Sequence, residues 1–385
     1  MNLTGIRQHH IYLFYVTIAL LWASMYVYAP ILPVHAENLG ATMGLVGTIV
    51  GAYGFSQLVL RIPIGVLSDR IGLRKPFIFF GIAAAGLAGV GLGLTSDPNW
   101  LAVWRGVSGI GAASLVCFTV LFASYYSPEK STMAMAKLVF AMGLSQTIST
   151  YVGGIIAEEW GWHAPFFVAV GLAILALITA LLLYEKPLVV HRDMAVGDLF
   201  RIGKNRLLLS VSFITLLSLW NTTATSGGFT LVYAARLGVS RADLGMLTML
   251  MQLALMVTTM ASDFVASRIG YCRTVTAGII FQTVSAVMVP SVDTLPMVAV
   301  SQILSGGGRG LSYSILMGLS IRTVPARDRA TAMGIFQAIY AVGMFAGPAT
   351  TGMLGDALGF FSVFYIAGAA TALGVALALT SVPSK

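Results

Sequence analysis

The chain has 385 residues, of which 57% are apolar and only 9% are Asp, Glu, Lys or Arg, against about 25% charged residues in an ordinary soluble domain. A mean hydropathy of +0.88 and 10% aromatic residues exclude disordered and collagen-like chains as well, so the bilayer is the natural solvent. The formal charge of +8 is a matter of topology, as argued below, and not a nucleic-acid footprint.

Helical spans of about 20 residues with short loops consume roughly 32 residues per crossing, which leaves room for about twelve. The ten-residue alternation of transmembrane strands is absent. Apolar runs bounded by charges and turn residues predict spans at 11–35, 42–66, 76–95, 99–124, 131–157 and 162–184, and then at 207–234, 241–266, 274–293, 295–321, 330–354 and 359–381. The longest polar stretch, 185–206, separates the two sets. The expected organisation is an all-α membrane protein with an N-terminal six-helix bundle (1–184), a linker (185–206) and a C-terminal six-helix bundle (207–385).

Basic residues near span ends are retained on the cytoplasmic side. With the N-terminus inside, the cytoplasmic segments collect Arg70, Arg74, Lys75, Lys130, Lys186, Arg192, Arg201, Lys204, Arg268, Arg273, Arg327 and Arg329, while Arg236 and Arg241 fall outside and Arg61, Arg105 and Arg309 fall within spans. Both termini are therefore expected in the cytoplasm and the chain in the cell (inner) membrane. Val34, His35 and Ala36 resemble a signal-cleavage site, but the apolar run before them is too long for a signal core. Cys117 lies in an apolar run and Cys272 in a basic loop, so no disulfide framework is expected.

Shifting the sequence by 198 residues aligns Trp22 with Trp220, Val34 with Val232, Ala36 with Ala234, Leu39 with Leu237, Gly40 with Gly238 and Gly47 with Gly245. The same shift lays Arg70, Ile71 and Gly72 on Arg268, Ile269 and Gly270. One offset across two helices and a loop indicates two similar halves. Two halves around a shared site suit a carrier that faces either side in turn, although duplication alone leaves a channel or an intramembrane enzyme open.

After the second span, Gly65, Asp69, Arg70 and Gly72 stand in a G-x-x-x-D-R-x-G spacing, followed by Arg74 and Lys75. Gly65 permits close helix approach, Asp69 can accept hydrogen bonds from a helix N-terminus, and Gly72 allows a tight turn. A plain positive-inside loop explains the bases but not the spacing. This segment resembles the loop motif of the major facilitator superfamily, and the resemblance implies that Asp69 and Arg70 latch the two halves in the outward-facing state. Leu73 stands where a basic residue is usual, and the second copy has Ser267 before Arg268 and Gly270 in place of the acid, with Asp263 one turn earlier.

In the fourth span Arg105 is followed by the small residues Gly106, Ser108, Gly109, Gly111, Ala112 and Ala113, similar to a superfamily motif associated with proton coupling. A snorkelling arginine is the competing reading, since Arg105 lies about two turns from the span's end. In the fifth span Gly143, Gly153 and Gly154 resemble a worn antiporter motif, with Ser149 and Thr150 replacing its Gly-Pro pair, and the eleventh span carries such a pair at Gly347 and Pro348. Helix packing through small residues accounts for both. Arg309 falls mid-span beside Gly306, Gly307, Gly308 and Gly310, where the glycines are expected to weaken the helix and leave one fixed cation for an anionic group or a hinge. Close packing around a hydrogen-bonded arginine is the alternative there. Arg61 stands one turn from Gln57 on the second span, near enough to an end to snorkel.

No carboxylate lies deep in any predicted span: Glu37, Glu158, Glu159, Asp293 and Asp356 fall at outer ends and Asp263 near an inner end, and the adjacent Glu158 and Glu159, which could titrate, read as solvated acids at a helix end. The candidate substrate-binding residues are Arg309, Arg105, Gln57, Arg61, Tyr26, Asn221, Gln146 and Tyr340, and the candidate latch residues are Gly65, Asp69, Arg70, Gly72, Arg268 and Gly270. The resemblance, closest to drug and metabolite efflux members, implies the twelve-helix fold and alternating access. The expected function is export of a small anionic or amphiphilic organic compound, with a proton as candidate coupling ion and uptake or exchange of an organic anion as the alternative. No H-E-x-x-H or comparable set suggests an intramembrane enzyme. A non-transporting sensor is the remaining different class. No cofactor, metal or nucleic acid is expected, and the partners are a small-molecule substrate and the lipid bilayer around a monomer.

Overall fold

The structure, a computed structural model, describes residues 8–126, 128–185, 202–325 and 328–384, with the side chains of 128–132 and 330 outside the description. Most of the predicted linker and Lys186, Arg192, Arg201 and Arg327 lie outside the described residues, as does the side chain of Lys130. The regular structure of the described residues is helical. Helix α1 (Gln8–Tyr26) resumes after a turn as Leu32–Asn38. It is followed by α2 (Met43–Ile71), α3 (Lys75–Leu94), α4 (Pro98–Ala123), α5 (Pro128–Trp160) and α6 (Ala164–Leu181). The second set is α7 (Arg206–Arg236), α8 (Arg241–Ile269), α9 (Tyr271–Met288), α10 (Leu295–Arg322), α11 (Arg329–Leu358) and α12 (Ser362–Ser381). Ten of these are long and apolar enough to cross a bilayer on composition alone. The other two are α1, which is split, and α10, whose serines, glycines and Arg309 dilute its hydropathy. Together they make the twelve-helix, two-bundle membrane fold expected from the sequence.

The repeat is exact in register. α2 and α8 have the same 29-residue length and begin and end 198 residues apart. Each starts on a hydroxyl cap: the Thr42 side chain accepts from the Leu45 amide, and Ser240 from that of Asp243, satisfying one of the donors a helix start leaves unpaired. The turns repeat too, with Gly40 and Gly238 at φ +86° and +82° and Gly161 and Gly359 at +90° and +93°, conformations that side chains other than glycine's resist.

The break in the first helix of each half also recurs. α1 is interrupted over residues 27–31, where Pro30 has no amide proton to donate, and α7 widens into a π-helical turn at Thr225–Phe229. These positions correspond under the same shift. In α7 the Ser226 carbonyl accepts 3.1 Å from Nε2 of Gln302, so a buried side chain supplies a bond at the irregular turn.

The glycines beside Arg309 do not weaken their helix, which corrects the sequence expectation: α10 runs unbroken from Leu295 to Arg322. They admit neighbouring backbones instead. A Cβ on Gly306 would stand 2.0 Å from the Met251 carbonyl oxygen of α8, and one on Gly308 2.3 Å from that of Gly278 in α9. Close packing by small residues is the reading the geometry supports.

The halves meet where α2 packs on α11 and α5 on α8. Gly47 lies so near Pro348 that a Cβ would reach 2.0 Å from its carbonyl oxygen, and the backbones of Gly154 and Gly245 cross at similar range. Toward the end of the bundle opposite the basic Arg70–Lys75 loop, here called the far rim, three polar links tie one half to the other. The carboxylate of Asp356 accepts from the Met43 and Gly44 amides at 2.8 Å each, Glu158 accepts from the Arg241 amide at 2.8 Å, and Glu37 pairs with Arg236. Glu37, Glu158 and Asp356 are thus cross-half acceptors, not merely solvated helix ends.

Gly47→Ala is expected to destabilise the purified protein by about 1–3 kcal/mol through backbone overpacking, measured as a lower unfolding temperature. Gly171→Ala, at a site with nothing within 4 Å of the added methyl, should leave that temperature unchanged.

Candidate functional site

Three arginines that an apolar helix would exclude come together inside the fold. Arg61, on α2, reaches into the other half: Nη1 donates to Gln337 Oε1 at 2.9 Å and to the Tyr340 hydroxyl at 3.1 Å, while Nη2 donates to Gln57 Oε1 at 2.7 Å. It does not snorkel. Gln337 and Tyr340 lie one turn apart on α11, so a single planar fork spans two helices of opposite halves.

Arg105 does not snorkel either. It is 9% exposed and turns inward, its guanidinium 4.4 Å from the Tyr53 ring centre and 5.5 Å from that of Tyr28. Its Nη1 lies 3.3 Å from the Tyr28 hydroxyl and 3.4 Å from Ser108 Oγ. Tyr28 sits in the broken stretch of α1, so the interruption there brings an aromatic face onto the arginine. Cation–π contact of this kind stabilises a charge withdrawn from water.

Arg309 stands midway along α10 with its guanidinium 5.8 Å from the Tyr313 ring centre. Tyr26 is within electrostatic reach of both Arg309 and Arg105, and Tyr313 within reach of both Arg309 and Arg61. The tyrosines therefore link the three cations around one interior region, with Tyr26 and Tyr53 from the first half and Tyr313 and Tyr340 from the second. Among the described residues no carboxylate pairs with any of the three. The Nε of each is buried without a hydrogen-bond partner. Buried polar groups are ordinarily satisfied, so these donors leave capacity for an anionic or hydrogen-bond-accepting guest.

The other candidates divide. Gln146 on α5 accepts 2.7 Å from Gln252 on α8, a further polar bridge between the halves. Gln57 is committed to Arg61. Asn221 is buried and fully engaged within the second half: Nδ2 donates to the Gln282 carbonyl and Oδ1 accepts from Thr225, which makes it a brace for the π-helical turn. Tyr28 and Tyr53 were not singled out as binding residues by sequence, because polar residues in spans usually pair between helices. Their value came from lying against an arginine.

At the basic end, Asp69 pairs with Arg74. The Arg74 and Lys75 amides at the start of α3 donate to Glu185, and Lys75 Nζ donates to the Leu181 and Leu183 carbonyls at 2.8 and 2.7 Å. Gly72 takes φ +74° to close α2. These bonds all stay within the first half, tying α2, α3 and the end of α6. Glu185, placed in the linker by sequence, is a cap on the N-terminus of α3. Gly65 lies 3.4 Å, at Cβ position, from a methyl of Val116 on α4. Arg70 is exposed. In the second half Gly270 also takes a positive φ, +91°, but with an extended ψ of 160° where Gly72 has 9°, and Arg268 lies over Phe264. Among the described residues, no hydrogen bond between the halves lies nearer the basic end than Arg61 with Gln337.

A family model for the Major Facilitator Superfamily matches residues 14–209 and 211–385. An uncharacterised MFS-type transporter of Methanocaldococcus jannaschii is 25% identical over 346 residues, 87% of this chain and 88% of that one. The multi-drug resistance efflux pump PmrA of Streptococcus pneumoniae is 24% identical over 364 residues, covering 92% and 90%. Among solved structures, the nucleoside transporter NupG aligns over 98% of this chain and 100% of its own with a TM-score of 0.80 at 13% identity. A bacterial homologue of the human lysosomal transporter Spinster, in an inward-facing and unoccupied conformation, aligns over 97% and 96% with the same TM-score at 14% identity. At these identities the likeness of structure concerns the fold.

Arg61→Lys keeps the charge but cannot serve Gln57, Gln337 and Tyr340 together. Unfolding of this variant, Gln337→Ala and their combination should give a coupling energy of about 1 kcal/mol between the two positions.

Proposed function

The chain belongs to the Major Facilitator Superfamily and is a membrane transporter, and we propose that it exports a small organic anion, or an amphiphile with an anionic group, by alternating access. The observation that carries this reading is three interior arginines, Arg61, Arg105 and Arg309, each against tyrosine and lacking a paired carboxylate among the described residues. Guanidinium groups stay protonated at any physiological pH, so this interior region keeps its positive charge in every conformation. Unpartnered Nε donors beside aromatic surface suit a carboxylate on an organic body. Arg309, central and braced by packed glycines, would meet the anionic group, with Arg105, Tyr26 and Tyr340 around it, and Arg61 and Gln146 bordering the cavity where the halves touch.

Direction rests on two supports. The likeness to PmrA, itself named an efflux pump, extends along 92% of this chain. The second is energetic: a potential negative inside drives an anion outward by about 2.3 kcal/mol per charge for each 100 mV, without a titratable acid in the pathway. Proton antiport is therefore a secondary reading for this site, and inward movement or exchange of an anion is the alternative that the same cations allow.

The basic loops support an orientation by the positive-inside rule, in which the Arg70–Lys75 loop and both termini face the cytoplasm of a cell whose inner membrane holds the protein. In that frame the far rim is the outer surface, closed here, and the conformation faces inward. The bundles 1–184 and 207–385, joined by the 185–206 linker, are the two rocking bodies. The latch of Asp69 and Arg70, idle in this state, would engage the second half when the cytoplasmic side closes.

The test is transport in proteoliposomes with an imposed potential, followed with labelled organic anions, zwitterions and cationic drugs. An organic anion should accumulate on the positive side, and Arg309→Ala should reduce its rate at least about tenfold, the order expected for loss of one charge-assisted bond, while folded protein remains in the membrane. Transport of cations alone, or an unchanged rate in Arg309→Ala, would sink the anion site.

A further inference from the structure

The 198-residue shift that relates the halves also relates two bonds across the far rim. Glu158, at the end of α5, accepts from the first amide of α8, that of Arg241. Asp356 stands 198 residues later at the end of α11, and it accepts from the first amides of α2, those of Met43 and Gly44. Met43 and Arg241 are themselves 198 residues apart. Each carboxylate therefore caps a helix of the opposite half, and the two caps are equivalent under the internal symmetry.

The glycines beneath them repeat as well. Gly154 lies against the Arg241 carbonyl, and Gly352 against that of Met43, each so close that a Cβ would stand 2.7 or 2.3 Å from the oxygen. One turn below each carboxylate, then, a glycine lets the same opposing helix start come into contact. In sequence each unit reads glycine, three residues, acid: Gly154 to Glu158 and Gly352 to Asp356. The spacing places both on one helix face.

We infer that Glu158 and Asp356 are positioning residues, a symmetric pair of clasps that hold the far rim closed and set the balance between the two access states. The inference rests on the alternating-access reading but not on the substrate or its direction. The amides they cap carry the positive end of a helix dipole, and a carboxylate there is stabilising. The bonds cannot survive separation of α5 from α8 or of α11 from α2, so the stabilisation belongs to one state only, as an equilibrium shift requires. The side chain of Arg241 adds to the first clasp by donating to the Ala157 carbonyl at 2.8 Å and lying 4.4 Å from the Trp162 ring centre. The second gains from a bidentate carboxylate. Different chemistry thus reinforces the same device in each half.

The test labels both halves at the far rim. Spin labels at Trp100→Cys on α4 and Met297→Cys on α10, exposed positions in opposite halves, with Cys117→Ala and Cys272→Ala, report the rim distance by double electron–electron resonance without any transport assay. Glu158→Gln and Asp356→Asn preserve size and an acceptor oxygen while removing the charge. Each should raise the ratio of long-distance to short-distance populations about fivefold, and the double variant about twenty-fivefold, if the two clasps act independently. Glu159→Gln, next to one clasp, removes the same charge and should leave the ratio as it was. An unchanged distribution in the double variant would overturn the inference, as would an equal shift in the Glu159 control. Because the measurement needs no substrate, failure of the anion-export reading would show in the transport assay and not here.

Discussion

Three guanidinium groups held among apolar helices, with no carboxylate against them among the described residues, set the terms for the rest of this structure. A charge withdrawn into a low-dielectric region is costly unless it is paired, hydrogen-bonded or open to water. The protein meets that cost with neutral partners: amide oxygens from Gln57 and Gln337, phenol groups from Tyr28 and Tyr340, and aromatic faces from Tyr53 and Tyr313. Such partners hold a cation in place without cancelling its charge. A carboxylate would have stabilised each arginine more and left the interior neutral.

Placing these groups requires helices at very close range, and glycine supplies the range. Gly306, Gly308 and Gly310 draw α10 onto α8 and α9, which sets Arg309 toward the interior. Between the halves, Gly47 and Gly154 bring α2 to α11 and α5 to α8. Two packed interfaces that release at one end and close at the other give two discrete arrangements, because tightly packed contacts do not deform continuously. The breaks in α1 and α7 are aligned by the repeat, and the one in α1 brings Tyr28 to Arg105.

Much of the architecture was legible in the sequence, for physical reasons. Hydropathy placed the twelve crossings to within a few residues, since backbone in lipid has to be helical. The 198-residue repeat aligned Gly40 with Gly238, which the structure sets in matching turns, and the caps at Thr42 and Ser240 keep the same register. The glycines of α10 misled, because a glycine that weakens a helix in isolation strengthens it once a neighbouring backbone occupies the vacant space. Arg61 and Arg105 looked able to snorkel by depth alone. Depth does not say which way a side chain turns, and both turned inward. Glu158 read as a solvated acid and Asp356 only as an acid at an outer helix end, because their partners are backbone amides of the other half, invisible to residue pairing. The repeat contained that signal: it pairs Glu158 with Asp356 and Gly154 with Gly352, an agreement that solvated ends do not need.

The most direct test of the central claim is ligand binding by the interior cations, measured by calorimetry on the purified protein with matched organic anions, neutral amides and cations. The account predicts that anions bind, that binding weakens with added salt, and that Arg105→Gln and Arg309→Gln each weaken it by about tenfold or more. Binding of a cationic amphiphile with no anion bound, or anion binding indifferent to both substitutions, would contradict it.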